Sequence, residues 1–501
     1  MEQMLHGLAL SIFLYWAAWL FYARWLHPLA KFPGPWLAAV SRVWIVLHVV
    51  RGSAEAEQKR LHEKYGPVIR IAPNELAISD PQAIKTIYRN NSGFRKTDFY
   101  LPFRSPFSRY PDHFTSTDAK VHASRRKIVN HVYSMSSILQ AEPYVDKCTD
   151  VLLMALNDVA DTKATIDLLQ WARMYAYDVV GEFYFGKMFG FLENKHDHLG
   201  YMASTDILIP VMTVSAVMPS YVRPLFMLGG LLFSTMRASL GALNSLTKAA
   251  DSAVEEHIVE AEKGDNEPRR SDLLTKVFSI YHNRGTELDF DITDVKMEAF
   301  GAFFAGSDTT AIALTGILYH ILKNRPVYHK LYEEIERATL NGKLSMPHIT
   351  YNEAVKLPYL DACVKEGMRI HPSVGLTFPR NVPAEGCDVA GYCVPGKVRI
   401  GINPAVVHFD RSVFGEKPHE FQPERWLERD AHEMSQYILQ FGAGSRTCMG
   451  KHMSLCEIYK VIPQILRSHH LELVSPDTKL KTTAYWFYKP AAVNIKIRRR
   501  Q

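Results

Sequence analysis

A ten-residue loop near the end of the chain, Phe441-Gly-Ala-Gly-Ser-Arg-Thr-Cys-Met-Gly450, constrains the fold more than any other feature of the sequence. Two glycines within three residues permit backbone conformations and close approaches that side chains would block. An apolar, helix-like run follows from Lys451 to Leu466, so Cys448 falls at the start of a helix. Free N–H groups and the positive end of the helix dipole stabilise a thiolate at such a position. The loop therefore predicts a stabilised thiolate at Cys448.

Other interpretations account for less of this loop. A dinucleotide-binding fingerprint requires Gly-x-Gly-x-x-Gly, but Thr447 occupies the third glycine position. A nucleophile elbow requires Gly-x-Ser-x-Gly, which the residues after Gly444 do not supply. Cys448, His452 and Cys456 share one helical face but make only three zinc ligands. Cys456 is expected to pack in the core, as buried cysteines commonly do. A purely structural cysteine remains an alternative.

A cysteine thiolate on haem iron favours cleavage of the O–O bond, and the guanidinium of Arg446 matches the carboxylate of a haem propionate. The loop resembles the haem-binding signature Phe-x-x-Gly-x-Arg-x-Cys-x-Gly of the cytochrome P-450 superfamily, and all five signature positions match. The resemblance implies that Cys448 is the axial ligand of the iron of haem b. It also implies that Arg446 binds a propionate, that Phe441 shields the sulfur and that Gly442 belongs to the cofactor site.

A second motif interrupts a long helical stretch with the sequence Phe303-Phe-Ala-Gly-Ser-Asp-Thr-Thr-Ala-Ile-Ala. Glycine costs ~1 kcal/mol against alanine in a helix interior, and short polar side chains compete for backbone hydrogen bonds. An acid beside an alcohol suits controlled proton delivery to dioxygen. A helix kink whose polar side chains face solvent is the alternative. The stretch resembles the superfamily's oxygen-activation motif, Ala-Gly-x-Asp-Thr-Thr. This resemblance implies catalytic roles for Thr309 and Asp308, while Ala305 and Gly306 would lie flat against the haem.

A glutamate and two arginines form a third pattern. Glu366 and Arg369 lie at i and i+3, on one face of a predicted helix. Taken alone, they would be an ordinary surface ion pair. Another arginine, Arg425, occurs in Phe421-Gln-Pro-Glu-Arg-Trp426, and the superfamily joins the three corresponding residues in a buried triad that supports the cysteine loop. We therefore expect this triad to hold the fold and to take no part in the chemistry.

The sequence departs from the superfamily at the helix over the haem edge, where Trp-x-x-x-Arg is frequent. The corresponding stretch here is Val121-His-Ala-Ser-Arg-Arg-Lys-Ile128. His122 would replace the tryptophan and Arg126 would be the arginine, both directed towards a propionate. Arg125, Arg126 and Lys127 could equally form part of a basic surface for an acidic electron-donor protein.

The composition suits a large globular core, because 47% of the 501 residues are hydrophobic and 22% are charged. A formal charge of +6 is too small for the footprint of a nucleic-acid-binding protein. Six cysteines without a Cys-x-x-Cys pair indicate a reducing compartment, not a disulfide framework.

Helical patterns dominate, which predicts a mainly α fold with small β-sheets, the fold of the superfamily. The predicted helices are Asp146–Ala160, Ala238–Ala261, Asp291–Lys323, Arg325–Thr339 and Leu360–Arg369. The predicted strands are Val68–Ile71, Leu76–Ile78, Val398–Ile402 and Ala491–Ile497. A polar break from Glu260 to Ser271 predicts an exposed loop between helices.

The N-terminus predicts a membrane anchor. Gly7–Ala23 carries no charge and is just long enough to span a bilayer. Arg24 and Lys31 follow it, which places the N-terminus in the lumen and the remainder in the cytosol, at the endoplasmic reticulum. A cleaved signal peptide is the alternative, but no basic region precedes the run and no small-residue cleavage site follows it. The prolines of Lys31-Phe-Pro-Gly-Pro-Trp36 make a stiff hinge. We expect an anchor and flank at residues 1–30 and one catalytic domain at residues 31–501.

The resemblance implies a monooxygenase that inserts one atom of dioxygen into a lipophilic molecule, with electrons from NADPH through a separate flavoprotein reductase. The chain resembles membrane-bound fungal biosynthetic members of the superfamily, and this resemblance favours a secondary-metabolite pathway such as terpenoid or polyketide biosynthesis. The apolar stretch Pro210–Phe233 suits either a substrate channel near the bilayer or a hydrophobic core helix. Two rivals remain: a same-fold isomerase or dehydratase of peroxides, and a non-catalytic haem carrier or sensor.

Overall fold

The computed structural model describes residues 1–105, 108–229, 232–262, 272–428 and 430–500. Most of these residues are helical. In chain order the helices are α1 Glu2–Phe21, α2 Trp36–Val40, α3 Val43–Val50, α4 Ala54–Tyr65, α5 Gln82–Ile87, α6 Ala119–Val129, α7 Met135–Gln140, α8 Glu142–Thr162, α9 Leu168–Val180, α10 Phe191–Asn194, α11 Tyr201–Val217, α12 Arg223–Gly229, α13 Ser234–Glu262, α14 Leu273–Leu288, α15 Ile292–Lys323, α16 Arg325–Leu340, α17 Tyr351–Ala354, α18 Pro358–Ile370, α19 Pro404–Val407, α20 Arg411–Phe414, α21 Ala431–Ser435 and α22 Lys451–Ser468.

The strands are short and lie at the periphery. They are β1 Val68–Ala72, β2 Glu75–Ile78, β3 Arg95–Lys96, β4 Thr165–Asp167, β5 Arg380–Asn381, β6 Cys387–Val389, β7 Tyr392–Val394, β8 Arg399–Ile402, β9 His469–Leu473, β10 Thr482–Ala484, β11 Tyr488–Pro490 and β12 Asn494–Arg499. One sheet has the order β1-β2-β8-β5-β3, and another has β4-β12-β9. Two hairpins, β6-β7 and β10-β11, complete the set. Strands β2 and β8 pair in parallel, and the other pairs are antiparallel.

The predicted elements are present, with boundaries that shift by a few residues. The predicted helix Asp146–Ala160 begins earlier, at Glu142, because Pro143 is favoured in a first turn and sets the start of α8. Of the predicted loop Glu260–Ser271, the first three residues continue α13, and the remainder lies outside the described residues. The mainly α fold class is therefore confirmed.

Helix α15 is the central element, and its start has a clear local cause. The carboxylate of Asp291 accepts hydrogen bonds from the N–H groups of Thr293 and Asp294, and the carboxylate of Asp294 accepts one from the N–H of Asp291. This reciprocal capping satisfies N–H groups that a helix start leaves free. Helices α9, α13, α18 and α22 pack around α15, so the motif at residues 303–313 lies deep inside the protein.

The N-terminal helix projects from the body, but its far end is docked to it. Glu2–Leu26 is long and apolar enough to cross a membrane, and its most apolar window is fully exposed. Ala23 and Leu29, in contrast, are buried. The buried guanidinium of Arg70 donates to the Ala23 carbonyl over 2.8 Å, and the Trp19 indole donates to the Val40 carbonyl over 2.9 Å. The chain then turns to extended backbone at His27, so no helix continues into the body.

The apolar stretch Pro210–Phe233 divides into two parts. In α11, Met212 and Val217 are buried, as a core helix requires. Beyond α11, the described residues expose large apolar side chains, including Tyr221 at 80% and Leu232 at 82%. The core-helix interpretation holds for the first half, whereas the second half forms an exposed apolar surface of the kind expected near a bilayer.

Candidate functional site

The cysteine loop closes on itself through its backbone. The N–H of Cys448 donates to the carbonyl of Phe441 over 2.8 Å, which brings the two ends of the loop together. Gly442 and Gly444 have φ angles of +67° and +61°, the left-handed region that favours glycine. A Cβ atom on Gly444 would lie 1.9 Å from the carbonyl oxygen of Tyr88. Both glycines are therefore required by the conformation, and Gly444 also by close packing.

The sulfur of Cys448 lies at the start of α22. Burial raises the pKa of its thiol, while N–H groups of Gly450 and Lys451 and the nearby charge of Arg126 act in the opposite direction. The side chain nevertheless has exposed surface. Desolvation by the protein together with accessible surface is what a sulfur that faces an internal cavity would show. Hydrogen bonds from two backbone N–H groups suit a thiolate that serves as a metal ligand.

Helix α15 presents a second wall of this cavity. Ala305 is exposed and Thr309 is half-buried, although Ser307 and Asp308 beside them are buried. The Thr309 hydroxyl donates to the Ala305 carbonyl over 2.7 Å. At the next residue, the Thr310 hydroxyl donates to Ser454 of α22 over 3.1 Å, which fixes α15 against the helix that follows the cysteine. Because Ser307 and Asp308 are buried, the alternative of a solvent-facing polar kink is wrong.

Gly306 packs closely against a neighbouring helix. A Cβ atom added there would lie 3.0 Å from a methyl group of Val180 in α9. That contact is tighter than ordinary packing, so the approach of α9 accounts for this glycine. The flat surface on the cavity side is supplied by Ala305, and we find no comparable contact of Gly306 on that side among the described residues.

Asp308 is held by an ion pair that the sequence did not indicate. Its carboxylate lies 2.6 Å from Nε of Arg173, a buried side chain of α9. Burial would raise the pKa of Asp308, but the charge of Arg173 outweighs it, and the pKa lies below its ordinary value. Arg173 also contacts Asp206, which is 42% exposed and paired with Lys489. The ionised carboxylate is thus connected to the protein surface. The signal in the sequence was an arginine among the apolar residues of α9.

A cationic cluster lies beside the cysteine loop. Its members are Lys96, His122, Arg126, Arg380 and Arg446. Burial, and then the charge of Arg380, lower the pKa of Arg446 to about 10. Burial and the charge of Arg446 lower the pKa of His122 to about 2. His122 is therefore neutral, and its buried Nε2 has no hydrogen-bond partner within the described ranges. Across the same ranges, neither Lys96 nor any of the three arginines forms an ion pair with a carboxylate. A group with two carboxylates would relieve this repulsion, so the cluster fits the propionates of haem.

The structure brings the predicted Arg446, Arg126 and His122 together in this cluster. Arg446 donates to the Ser116 carbonyl over 2.9 Å, and Arg126 donates to the Thr447 carbonyl over 2.7 Å. Lys96 and Arg380 were missed by sequence reasoning. A single basic residue in a short strand carries no local signal of burial, and only the fold places these two beside the loop.

Arg125 corrects the expectation of a basic surface. Its guanidinium is 11% exposed, lies 2.5 Å from Asp294 and stacks over Tyr110. It is therefore occupied in fastening α6 to the start of α15. Arg126 is half-buried against the cysteine loop, so of the three residues Lys127 alone is exposed. The three do not form a continuous basic surface.

The predicted triad is buried and fully bonded. Two nitrogens of Arg369 donate to the two carboxylate oxygens of Glu366, each over 2.8 Å. Arg425 donates to the same carboxylate over 3.0 Å, and the indole of Trp426 donates over 2.8 Å. Glu366 and Arg369 have no exposed surface, so the interpretation as a surface ion pair is wrong.

A histidine that the sequence analysis did not single out connects this triad to the cysteine loop. Arg369 donates to the carbonyl of His408 over 2.7 Å. The imidazole of His408 accepts from the N–H of Leu439 over 2.8 Å, so its other nitrogen carries the proton and donates to the Arg369 carbonyl. Burial lowers the pKa of His408 to about 3, which keeps the ring neutral for these two roles. The Leu439 carbonyl then accepts from Gly442 in the loop.

These residues match the requirements of a haem-thiolate site: an accessible cysteine before a helix start, an alanine–threonine helix face and a cluster of basic side chains. The profile of the cytochrome P-450 family matches residues 33–493, and the chain belongs to this family. Family membership implies a haem with a thiolate ligand, electrons from a redox partner and a small-molecule substrate. The chain is accordingly a haem-dependent monooxygenase.

Several fungal enzymes are similar over almost their whole length. The cytochrome P-450 monooxygenase gsfF of Penicillium aethiopicum is 42% identical over 490 residues, which cover 97% of each chain. The cytochrome P-450 monooxygenase cicH of Emericella nidulans is 32% identical over 94% of each chain. A pisatin demethylase of Fusarium vanettenii is 32% identical over 96% of this chain and 91% of its own.

Proposed function

We propose that this chain is a membrane-anchored monooxygenase of secondary metabolism that inserts one atom of dioxygen into a lipophilic small molecule. The observation that carries the proposal is the hydrogen bond between Thr310 and Ser454, which joins α15, the helix of Ala305 and Thr309, to α22, the helix that follows the accessible Cys448. The fungal monooxygenases gsfF and cicH support the secondary-metabolite role, and the relative named pisatin demethylase supports a small-molecule substrate.

In this proposal the cofactor is haem b, and Cys448 holds its iron. Phe441 shields the sulfur, Gly442 allows the loop to turn, and Arg446 binds a propionate. Arg126 and His122 bind the propionates as well, together with Lys96 and Arg380. The bound haem supplies the binding and reductive activation of dioxygen. Its electrons come from NADPH through a separate flavoprotein reductase.

The catalytic roles fall on Thr309 and Asp308. The Thr309 hydroxyl donates to the Ala305 carbonyl, so its oxygen remains free to accept a hydrogen bond from a water and to orient it. Asp308 is ionised, and Arg173 holds its carboxylate in place and joins it to half-exposed Asp206. We propose that this acid–base pair controls proton delivery in the cavity. Glu366, Arg369 and Arg425 have a structural role.

The membrane arrangement follows from the N-terminus. We propose that residues 1–30 form a single-pass anchor and flank in the endoplasmic reticulum, and that residues 31–501 form the catalytic domain on the cytosolic side. The exposed helix Glu2–Leu26 supports the anchor, and the basic residues after it support the orientation.

Turnover of a substrate with the purified enzyme, a reductase, NADPH and isotopically labelled dioxygen tests the function. A monooxygenase incorporates one labelled oxygen atom and consumes NADPH. An isomerase or dehydratase of peroxides converts its substrate without NADPH or dioxygen, and a haem carrier or sensor consumes neither. Either of the last two results would replace the proposed function.

A further inference from the structure

Aromatic side chains from three separate segments meet beside the cavity. The ring of Trp486, in the turn between β10 and β11, lies 5.3 Å from that of Phe114 and 5.7 Å from that of Phe378, centroid to centroid. The same tryptophan contacts three further rings. These six residues, named the aromatic cluster below, are Phe99, Tyr100, Phe103, Phe114, Phe378 and Trp486.

Backbone contacts place the Trp486 side of the cluster next to the catalytic face of α15. The Ser373 hydroxyl donates to the carbonyl of Thr309 over 2.8 Å. The N–H of Tyr488 donates to the Ser373 carbonyl, and the N–H of Gly375 donates to the Trp486 carbonyl. The segments that carry Phe378 and Trp486 are therefore anchored directly at Thr309.

The Phe114 side is held to α15 by a hydrogen bond. The ring of His113 lies 2.9 Å from the carboxylate of Glu298, seven residues before Ala305. Seven residues are about two helical turns, so His113 and Ala305 lie along one side of α15. Phe114 and Phe378 retain partial exposure, although the other four members are almost fully buried. The Lys96 ammonium of the cationic cluster lies 4.8 Å from the centre of the Phe114 ring, so this ring borders the site.

Trp486 also carries an unused donor. Its indole N–H finds no hydrogen-bond partner in the part of the chain that the structure describes, and its nitrogen is not sealed from solvent. A buried tryptophan usually bonds its N–H when it can. This N–H is available to a hydrogen-bond acceptor on a molecule that occupies the cavity.

We propose that the substrate has a flat aromatic ring with an oxygen substituent, which the aromatic cluster holds through Phe114, Phe378 and the indole N–H of Trp486. The inference rests on the proposed function and names its substrate class. An aromatic ring gains edge-to-face and offset contacts with Phe114, Phe378 and Trp486 that a saturated ring of equal size lacks. An oxygen substituent accepts the free indole N–H, which a hydrocarbon leaves unbonded.

Binding of three matched probes to the full-length holoenzyme tests this inference. The probes are 2-naphthol, its saturated counterpart decahydro-2-naphthol, and 2-methylnaphthalene, which has no acceptor. Binding is followed by the change in the Soret band. We expect 2-naphthol to bind about tenfold more tightly than decahydro-2-naphthol, as ring contacts of this kind allow. Trp486→Leu should remove that preference. Trp486→Phe should keep it but lose the discrimination between 2-naphthol and 2-methylnaphthalene.

The controls separate recognition from folding. Trp171→Leu changes a half-buried tryptophan of α9 outside the cluster and should leave all three affinities unchanged. If Trp486→Leu fails to bind haem, Phe114→Leu makes the same test. Equal binding of the aromatic and saturated probes by the unmodified enzyme would overturn the inference, as would an equal loss for both in the variants. A chain that shows no thiolate-type carbon monoxide spectrum would instead contradict the proposed function.

Discussion

Single residues in this protein take their chemistry from their immediate surroundings, and the cysteines illustrate this. Cys448 and Cys456 lie eight residues apart. Cys456 is buried among apolar neighbours, and burial raises its pKa so far that the thiol stays protonated. Cys448 receives N–H groups from the start of α22 and faces the cavity. Burial raises the pKa of both thiols, but at Cys448 backbone N–H groups and the charge of Arg126 oppose that effect, so Cys448 is the one suited to bind a metal.

Replacement of Cys448 by serine should abolish the thiolate signature. A serine oxygen is a poorer donor to haem iron, so the carbon monoxide complex of the reduced enzyme should lose its strongly red-shifted Soret band. Absorbance spectra of the reduced, carbon monoxide-treated variant measure this directly. Cys393→Ser, at an exposed position of the β6-β7 hairpin, is the matched control and should keep the band. Retention of the band in Cys448→Ser would refute the assignment.

Replacement of Thr309 by alanine should uncouple NADPH consumption from product formation. A competent acid–base group contributes roughly 10²–10⁴-fold, so product formation should fall steeply while NADPH consumption falls less. The NADPH that is consumed without product formation should instead yield released hydrogen peroxide. The ratio of product to NADPH, measured together with peroxide, checks the prediction.

The neighbouring Thr310→Ala variant is the control for this experiment. Thr310 is buried and bonds to Ser454 of α22, so its loss should affect stability more than coupling. Unchanged coupling in Thr309→Ala, with haem still bound, would show that the hydroxyl has no catalytic role.

Individual elements combine structural and functional tasks. Helix α18 is an example: its buried face carries two of the three triad residues, Glu366 and Arg369, and its exposed face carries an ordinary ion pair. Glu366 is completely buried and accepts from two arginines and one indole. One residue earlier, Lys365 is 39% exposed and lies 2.7 Å from Asp361. The same helix thus offers a buried and an exposed ion pair for direct comparison.

Replacement of Glu366 by glutamine should destabilise the holoenzyme strongly. Removing one partner of a buried ionic group leaves the other charges uncompensated and costs about 3–5 kcal/mol. Lys365→Met removes an exposed pair and should cost less than about 1 kcal/mol. Urea titrations followed by haem absorbance compare the two variants. Similar losses of unfolding free energy in the two variants would mean that the triad does not stabilise the cysteine loop.

At the scale of the whole molecule, the N-terminal helix and the catalytic body form one connected unit. The bonds from Arg70 to Ala23 and from Trp19 to Val40 fasten the end of the exposed helix to the body. Exposed apolar residues such as Tyr221 and Leu232 give the body its own affinity for an apolar surface. Membrane association is therefore expected to have two contributions.

Deletion of residues 1–30 should release much of the protein from membranes, while the apolar surface after α11 retains a fraction. The full-length protein should sediment with membranes and resist a carbonate wash. Deletion of residues 2–21 alone is the control, because it removes the exposed helix and keeps the contacts of Ala23 and Leu29. A full-length protein that is soluble and shortened at its N-terminus would favour the signal peptide.

Local patterns were sufficient for the elements and for the principal motifs. The cysteine loop, the polar segment of α15 and the Glu-x-x-Arg pair are each contiguous, and their conformations depend on neighbours within a few residues. The helical periodicity likewise predicted α15, α16 and α18 to within a few residues.

Contacts between distant segments could not be read from the chain. Arg173 and Asp308 are 135 residues apart, yet their ion pair sets the charge of the proposed catalytic acid. Lys96, Arg380 and Arg446 come from three segments, and packing alone makes them neighbours. Only the packed structure shows that Glu366 and Arg125 are held in internal ion pairs and do not carry surface charge. Desolvation and proximity arise only when the chain is packed, because both depend on every element that surrounds a side chain.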